Sequence, residues 1–121
     1  MAEKTIPAVQ NEENQISIGE LASIAGELYG DMVKAVADVR NGLMAIDAEL
    51  HSDLERLLLE NGSNQEDLWG FNIYPELEGD DFIEFDSLIN IRPRQNNGSR
   101  YVESAEIRER ITGIVCEFIG R

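Results

Sequence analysis

Apolar residues recur at helical spacing near both ends of the chain and at alternating spacing through its middle. Leu21, Ile24, Ala25 and Leu28 step by three or four, the interval that puts side chains on one face of a helix. Ser17 and Glu20 have the spacing of a capping box, Ile16 and Leu21 that of a hydrophobic staple, and Gly30 stands where such a helix ends. Ile107, Ile111, Ile114, Val115 and Phe118 form a second apolar stripe behind Ser104 as N-cap. Two terminal helices are therefore expected.

The middle reads as strand. Met32, Val36, Val39, Leu43, Ile46 and Leu50 also fit a helical step, but the Asn41-Gly42 pair and the β-branched Val33, Val36 and Val39 favour a hairpin, Met32–Arg40 with Leu43–Leu50. For Leu54–Glu60 a short helix capped by Ser52 and Glu55 competes with a strand. Asn61-Gly62 and the strand-like Leu68–Tyr74 beyond it favour the strand, as half of a second hairpin. Phe82–Arg92 alternates most clearly: Ile83, Phe85, Ser87, Ile89 and Ile91 fall on one side, and Glu84, Asp86, Leu88, Asn90 and Arg92 on the other. Pro93 ends that strand because it has no N–H for a ladder, and a polar loop follows to Tyr101.

The fold expected from these elements is α+β: an antiparallel meander of about four strands, with the N-terminal and C-terminal helices packed on one face. Residues 1–15 read as a flexible arm, in which Thr5–Val9 has the makings of a short edge strand, and 16–121 as a single domain. The uncovered sheet face is then left to solvent or to a partner.

That face is where the chemistry concentrates. Pairing in sequence order collects His51, Asn72, Glu84, Asp86, Asn90 and Arg92 on it, with Gly70 leaving a shallow depression. A histidine with carboxylates suits a divalent metal or general acid–base work, and His51, Glu84 and Asp86 are the catalytic candidates. Asn72, Asn90, Arg92 and Arg100 are the candidate ligand-binding residues. No metal site is assigned and no cofactor is expected, because H-E-x-x-H, the EF-hand loop, G-x-S-x-G and the P-loop are all missing from the sequence. An ordinary solvated face with cross-strand ion pairs explains the same residues. Trp69, Phe71 and Ile73 alternate as core, and Cys116 reads as an inert surface thiol.

Charge narrows the partners. The 121 residues carry a formal net charge of −14, which disfavours nucleic acid and anionic membrane surfaces. The charge is unevenly placed: residues 1–91 hold 20 acids and 4 bases, and residues 92–121 hold 4 acids and 6 arginines. The arginines serve either to neutralise the acidic body or to build an anion site. One cysteine allows no internal disulfide, and no apolar run is long enough to span a membrane. With Met1–Gln15 lacking a signal-peptide core, a cytoplasmic setting is expected.

The stretches ELHSD (Glu49–Asp53), ENGSNQEDLWGFNIYP (Glu60–Pro75), EFDSLINIRP (Glu84–Pro93) and QNNGSR (Gln95–Arg100) resemble an uncharacterised prokaryotic domain-of-unknown-function family. The resemblance runs from about Ile16 to Gly120 and departs from the family pattern at Asn41-Gly42 and Ala48. It implies a small cytosolic single-domain protein with no assigned reaction or catalytic residue. The residues themselves point first to a binding or regulatory module that presents a polar sheet face to a protein partner or a small, anionic ligand. Homodimerisation through an edge strand or the open face fits the same reading. The alternative is a small hydrolase, metal-dependent or metal-free, using His51 with Glu84 and Asp86 and an arginine anion site.

Overall fold

The computed structural model describes residues 5–6, 16–46 and 48–120. Strands β1 (Thr5–Ile6) and β2 (Ile16–Ser17) precede helix α1 (Ile18–Leu28), and β3 (Val33–Asp38) and β4 (Leu43–Ile46) form the expected hairpin. Helix α2 (His51–Glu60), β5 (Leu68–Ile73), β6 (Ile83–Glu84), helix α3 (Ala105–Phe118) and β7 (Ile119–Gly120) complete the chain. The main sheet is antiparallel and runs β1-β4-β3-β5-β6. The fold is α+β as the pattern predicted, but β5 pairs with β3 rather than with β4, so neighbours in the sheet do not follow sequence order. A second pairing, parallel β2 with β7, joins the start of α1 to the end of α3.

Local chemistry accounts for the elements. Ser17 and Glu20 make both halves of the capping box at the start of α1. The β3–β4 turn needs a left-handed residue, supplied by Gly42 with φ of 71°. Asp38, fully buried at the end of β3, accepts hydrogen bonds from the Arg40 and Asn41 amides and from the Ser63 hydroxyl at 2.6 Å. Burial alone raises the Asp38 pKa, but these donors outweigh it and hold the carboxyl below its ordinary range.

Side-chain alternation divides the core between the two sheet faces. Val33, Ala35, Ala37, Met44, Ile46, Trp69, Phe71 and Ile73 meet α1 and α3 on one face. The opposite face is not open, which corrects the expectation of a surface left to solvent or a partner. Val36, Ala45 and Leu68 pack there against Leu54 and Leu58 of α2.

Two strand assignments are also corrected. Leu54–Glu60 belongs to α2. Its Leu, Glu and Arg residues are good helix formers, and Leu54 and Leu58 lie one turn apart toward the sheet. The helix begins at His51, and its N-cap is Leu50 without a side-chain bond, so Ser52 and Glu55 form no capping box. Phe82–Arg92 pairs with β5 only at Ile83 and Glu84. Beyond Glu84 the chain makes a bridge from Asp86 to Tyr101, a 3-10 turn over Leu88–Asn90 and a bridge from Arg92 to Asn97.

The place of the missing strand is taken by one side chain. The Asn90 carboxamide accepts from the Gly70 N–H and donates to the Gly70 carbonyl, each at 2.9 Å. It thereby makes the pair of bonds that a neighbouring antiparallel residue makes. The close approach requires glycine, because a Cβ on Gly70 would stand 2.7 Å from Ser87.

Candidate functional site

Between the start of α2, strand β5 and the 84–100 segment lies a cavity of about 320 Å³, with His51, Asn72, Glu84 and Asp86 among its lining residues. Its floor is a row across three adjacent strands. Lys34 of β3 pairs directly with Asn72 of β5, and Asn72 pairs with Glu84 of β6. Directly paired residues project from the same face. Strands lie about 4.8 Å apart, so Lys34 and Glu84 are separated by about 10 Å at the backbone.

Asn72 is 4% exposed and held in one orientation. Its Nδ2 donates to Glu84 Oε1 at 2.8 Å and to the Asp86 carbonyl at 3.3 Å. Both partners there are acceptors, so the amide nitrogen must face them. The Asn72 Oδ1 is consequently turned away, buried and without a hydrogen-bond partner. Glu84 Oε1 also accepts from the Tyr74 hydroxyl at 3.0 Å. Burial and this carboxylate raise the Tyr74 pKa, keeping the phenol protonated as the donor.

His51 reaches the cavity from the first turn of α2 rather than from a strand. Its Nε2 lies 2.8 Å from the Phe71 carbonyl, and because a carbonyl only accepts, Nε2 carries the proton. Burial lowers the His51 pKa and the Lys34 charge adds to this. The Phe71 bond, Asp86 and Asn72 act in the opposite direction without prevailing. The ring is therefore neutral at pH 7, with a lone pair on Nδ1.

The folded state thus resists protonation of His51, and the unfolded chain takes up the proton first. Stability is fully present above the ordinary histidine pKa of about 6.5 and falls as the pH drops below it. His51 is the single histidine, so urea midpoints at about pH 7.5 and about pH 5.5 isolate its contribution. The midpoint is expected to fall at the lower pH in the native chain and to fall less in His51→Gln. An equal fall in both removes His51 as the cause.

The candidate residues separate into two groups. His51, Asn72, Glu84, Asp86 and Arg100 all line the cavity. Arg100 is spent on Asp86, with Nε to Oδ1 at 2.7 Å and Nη2 to Oδ2 at 3.2 Å. No hydrogen bond joins His51 to Glu84 or Asp86 among the described residues. Asn90 and Arg92 lie apart from the cavity lining: Asn90 is the clamp on Gly70. Arg92 donates to the carbonyls of Ile89, Gln65 and Leu68 and stacks 4.3 Å from the Trp69 ring centroid. Among the described residues, no three His, Cys, Asp or Glu side chains are grouped to hold a metal ion.

Sequence reasoning missed Lys34 and Ser87 as parts of this wall. Lys34 carried a signal, being the charged residue inside the otherwise apolar run VKAVA. Ser87 carried none, because only the collapse of the 84–100 segment onto Gly70 brings it there.

A family model described as a protein of unknown function (DUF5674) matches residues 11–118. No curated protein and no solved structure matches the chain. No helix among the described residues is long and apolar enough to cross a membrane.

Proposed function

The chain belongs to the DUF5674 family, whose function is unknown, and from its geometry we propose that it is a binding module whose site takes a small ligand. A broad protein-binding sheet face fits poorly, because α2 and the 84–100 segment pack over that face and leave this cavity between them. Its volume of about 320 Å³ is at the small end of the range for small-molecule sites. The observation that carries the reading is the Asn72 Oδ1. A buried acceptor without a donor costs about 1–3 kcal/mol, and a bound N–H or O–H group removes that cost.

Amide chemical-shift mapping with a library of small polar compounds tests the proposal. Binders are expected to shift Lys34, Asn72, Glu84 and Ser87 together. Ser52→Trp, at an exposed position on the cavity lip, is expected to abolish those shifts while preserving the spectrum elsewhere. A library in which no compound moves this cluster, or shifts that survive Ser52→Trp unchanged, would sink the proposal.

A further inference from the structure

We infer that the ligand of this cavity is a small zwitterion, with an ammonium group at one end and a carboxylate at the other; this rests on the small-ligand reading above. The wall has used most of its own strong donors. The Asn72 amide is committed to Glu84, two N–H groups of Arg100 to Asp86 and the His51 Nε2–H to Phe71. Apart from Lys34, the Ser52 and Ser87 hydroxyls and the Arg100 N–H groups not used on Asp86 remain, and hydroxyls turn to donate or to accept.

At the Glu84 end of the row the unused groups are acceptors. Asn72 Oδ1 has no partner, and the second oxygen of Glu84 receives no hydrogen bond among the described residues. A ligand nitrogen with several N–H groups matches this end of the row, and a positive charge on it matches Glu84.

The other end has the opposite sign. Lys34 forms no ion pair among the described residues, and its Nζ lies over the Tyr29 ring at 5.1 Å from the centroid. Arg100 and Asp86 neutralise each other across the cavity. What remains is one cation and one carboxylate at opposite ends of the Lys34–Asn72–Glu84 row, with an unpartnered acceptor between them. A monovalent amine meets repulsion from Lys34, and a monovalent acid meets repulsion from Glu84. A molecule carrying both charges, aligned antiparallel to the row, meets neither. Leu50 and Leu88, 52% and 66% exposed at the rim, supply apolar cover for the carbon chain between the charged groups.

Titration of the full chain with ω-amino carboxylates from glycine to aminohexanoate, followed by amide shifts, tests this against hexylamine and hexanoate. At least one zwitterion is expected to bind about ten-fold or more tighter than either single-charge compound. Lys34→Met is expected to reduce its affinity to that of hexylamine, and Glu84→Gln to that of hexanoate, with the backbone spectra otherwise unchanged. Equal or tighter binding of hexylamine or hexanoate, or no binding by any zwitterion while other small compounds bind, overturns the inference and leaves the small-ligand reading standing. No shifts at the cavity with any compound of either panel overturn both.

Discussion

Replacing Asn90 by Ala is expected to cost about 3–5 kcal/mol of folding stability and to release the 87–100 segment from the sheet. Asn90 is fully buried. Its carboxamide satisfies the Gly70 N–H and C=O and also donates to the Arg100 carbonyl at 2.9 Å. Truncation leaves three main-chain groups without that partner, and two of them lie in the middle of β5. It also leaves a void the size of a carboxamide. Urea unfolding measures the loss, and hydrogen exchange at the Gly70 amide reports where it acts. Asn90→Asp separates the contributions, because a carboxylate still accepts from Gly70 but cannot donate to the two carbonyls. A cost below about 1 kcal/mol with Gly70 still protected would show that the segment is held by other contacts.

Arg92→Ala is expected to lose about 2–3 kcal/mol of stability without changing ligand affinity at the cavity. The sequence made Arg92 a candidate for anion binding, whereas in the fold its guanidinium spans three main-chain carbonyls and the Trp69 ring. Those carbonyls come from Gln65 and Leu68 before and within β5 and from Ile89 beyond the clamp, so the side chain ties the two segments together. The positive charge partly compensates the desolvation of the carbonyls, and Arg92 is half-buried, which sets the cost below that of Asn90. Lysine, a point charge without the planar fork, is not expected to restore the loss. Unchanged unfolding with weakened binding of a cavity ligand would return Arg92 to the binding residues.

The cavity was legible in outline and not in mechanism. Alternation placed Asn72 and Glu84 on one face, and pairing in sequence order brought His51 to it, but the route by which His51 arrives differs. As the first residue of a helix it enters from above the sheet, with its ring anchored to a main-chain carbonyl rather than to a carboxylate. The arginines show a similar limit. Composition establishes that the end of the chain is arginine-bearing, but which guanidinium is spent on a carboxylate, which on carbonyls and which remains available depends on contacts between distant residues.

What the sequence determined by itself is what local physics controls. The capping box at Ser17, the apolar stripes of α1 and α3, the Asn41-Gly42 hairpin and the core face of Trp69, Phe71 and Ile73 all follow from interactions within a few residues or from side-chain period. Only the tertiary structure decided the pairing of β5 with β3, the helix in place of a strand at His51–Glu60, and the break after Glu84. Each depends on a partner far along the chain. Alternation over 82–92 favours an extended strand, but strand hydrogen bonds need an accessible neighbour, and the Asn90 side chain takes the Gly70 main-chain groups that such a strand would use. That single substitution of side chain for backbone folds the segment over the sheet. It turns an expected open face into a cavity with one buried acceptor left unsatisfied.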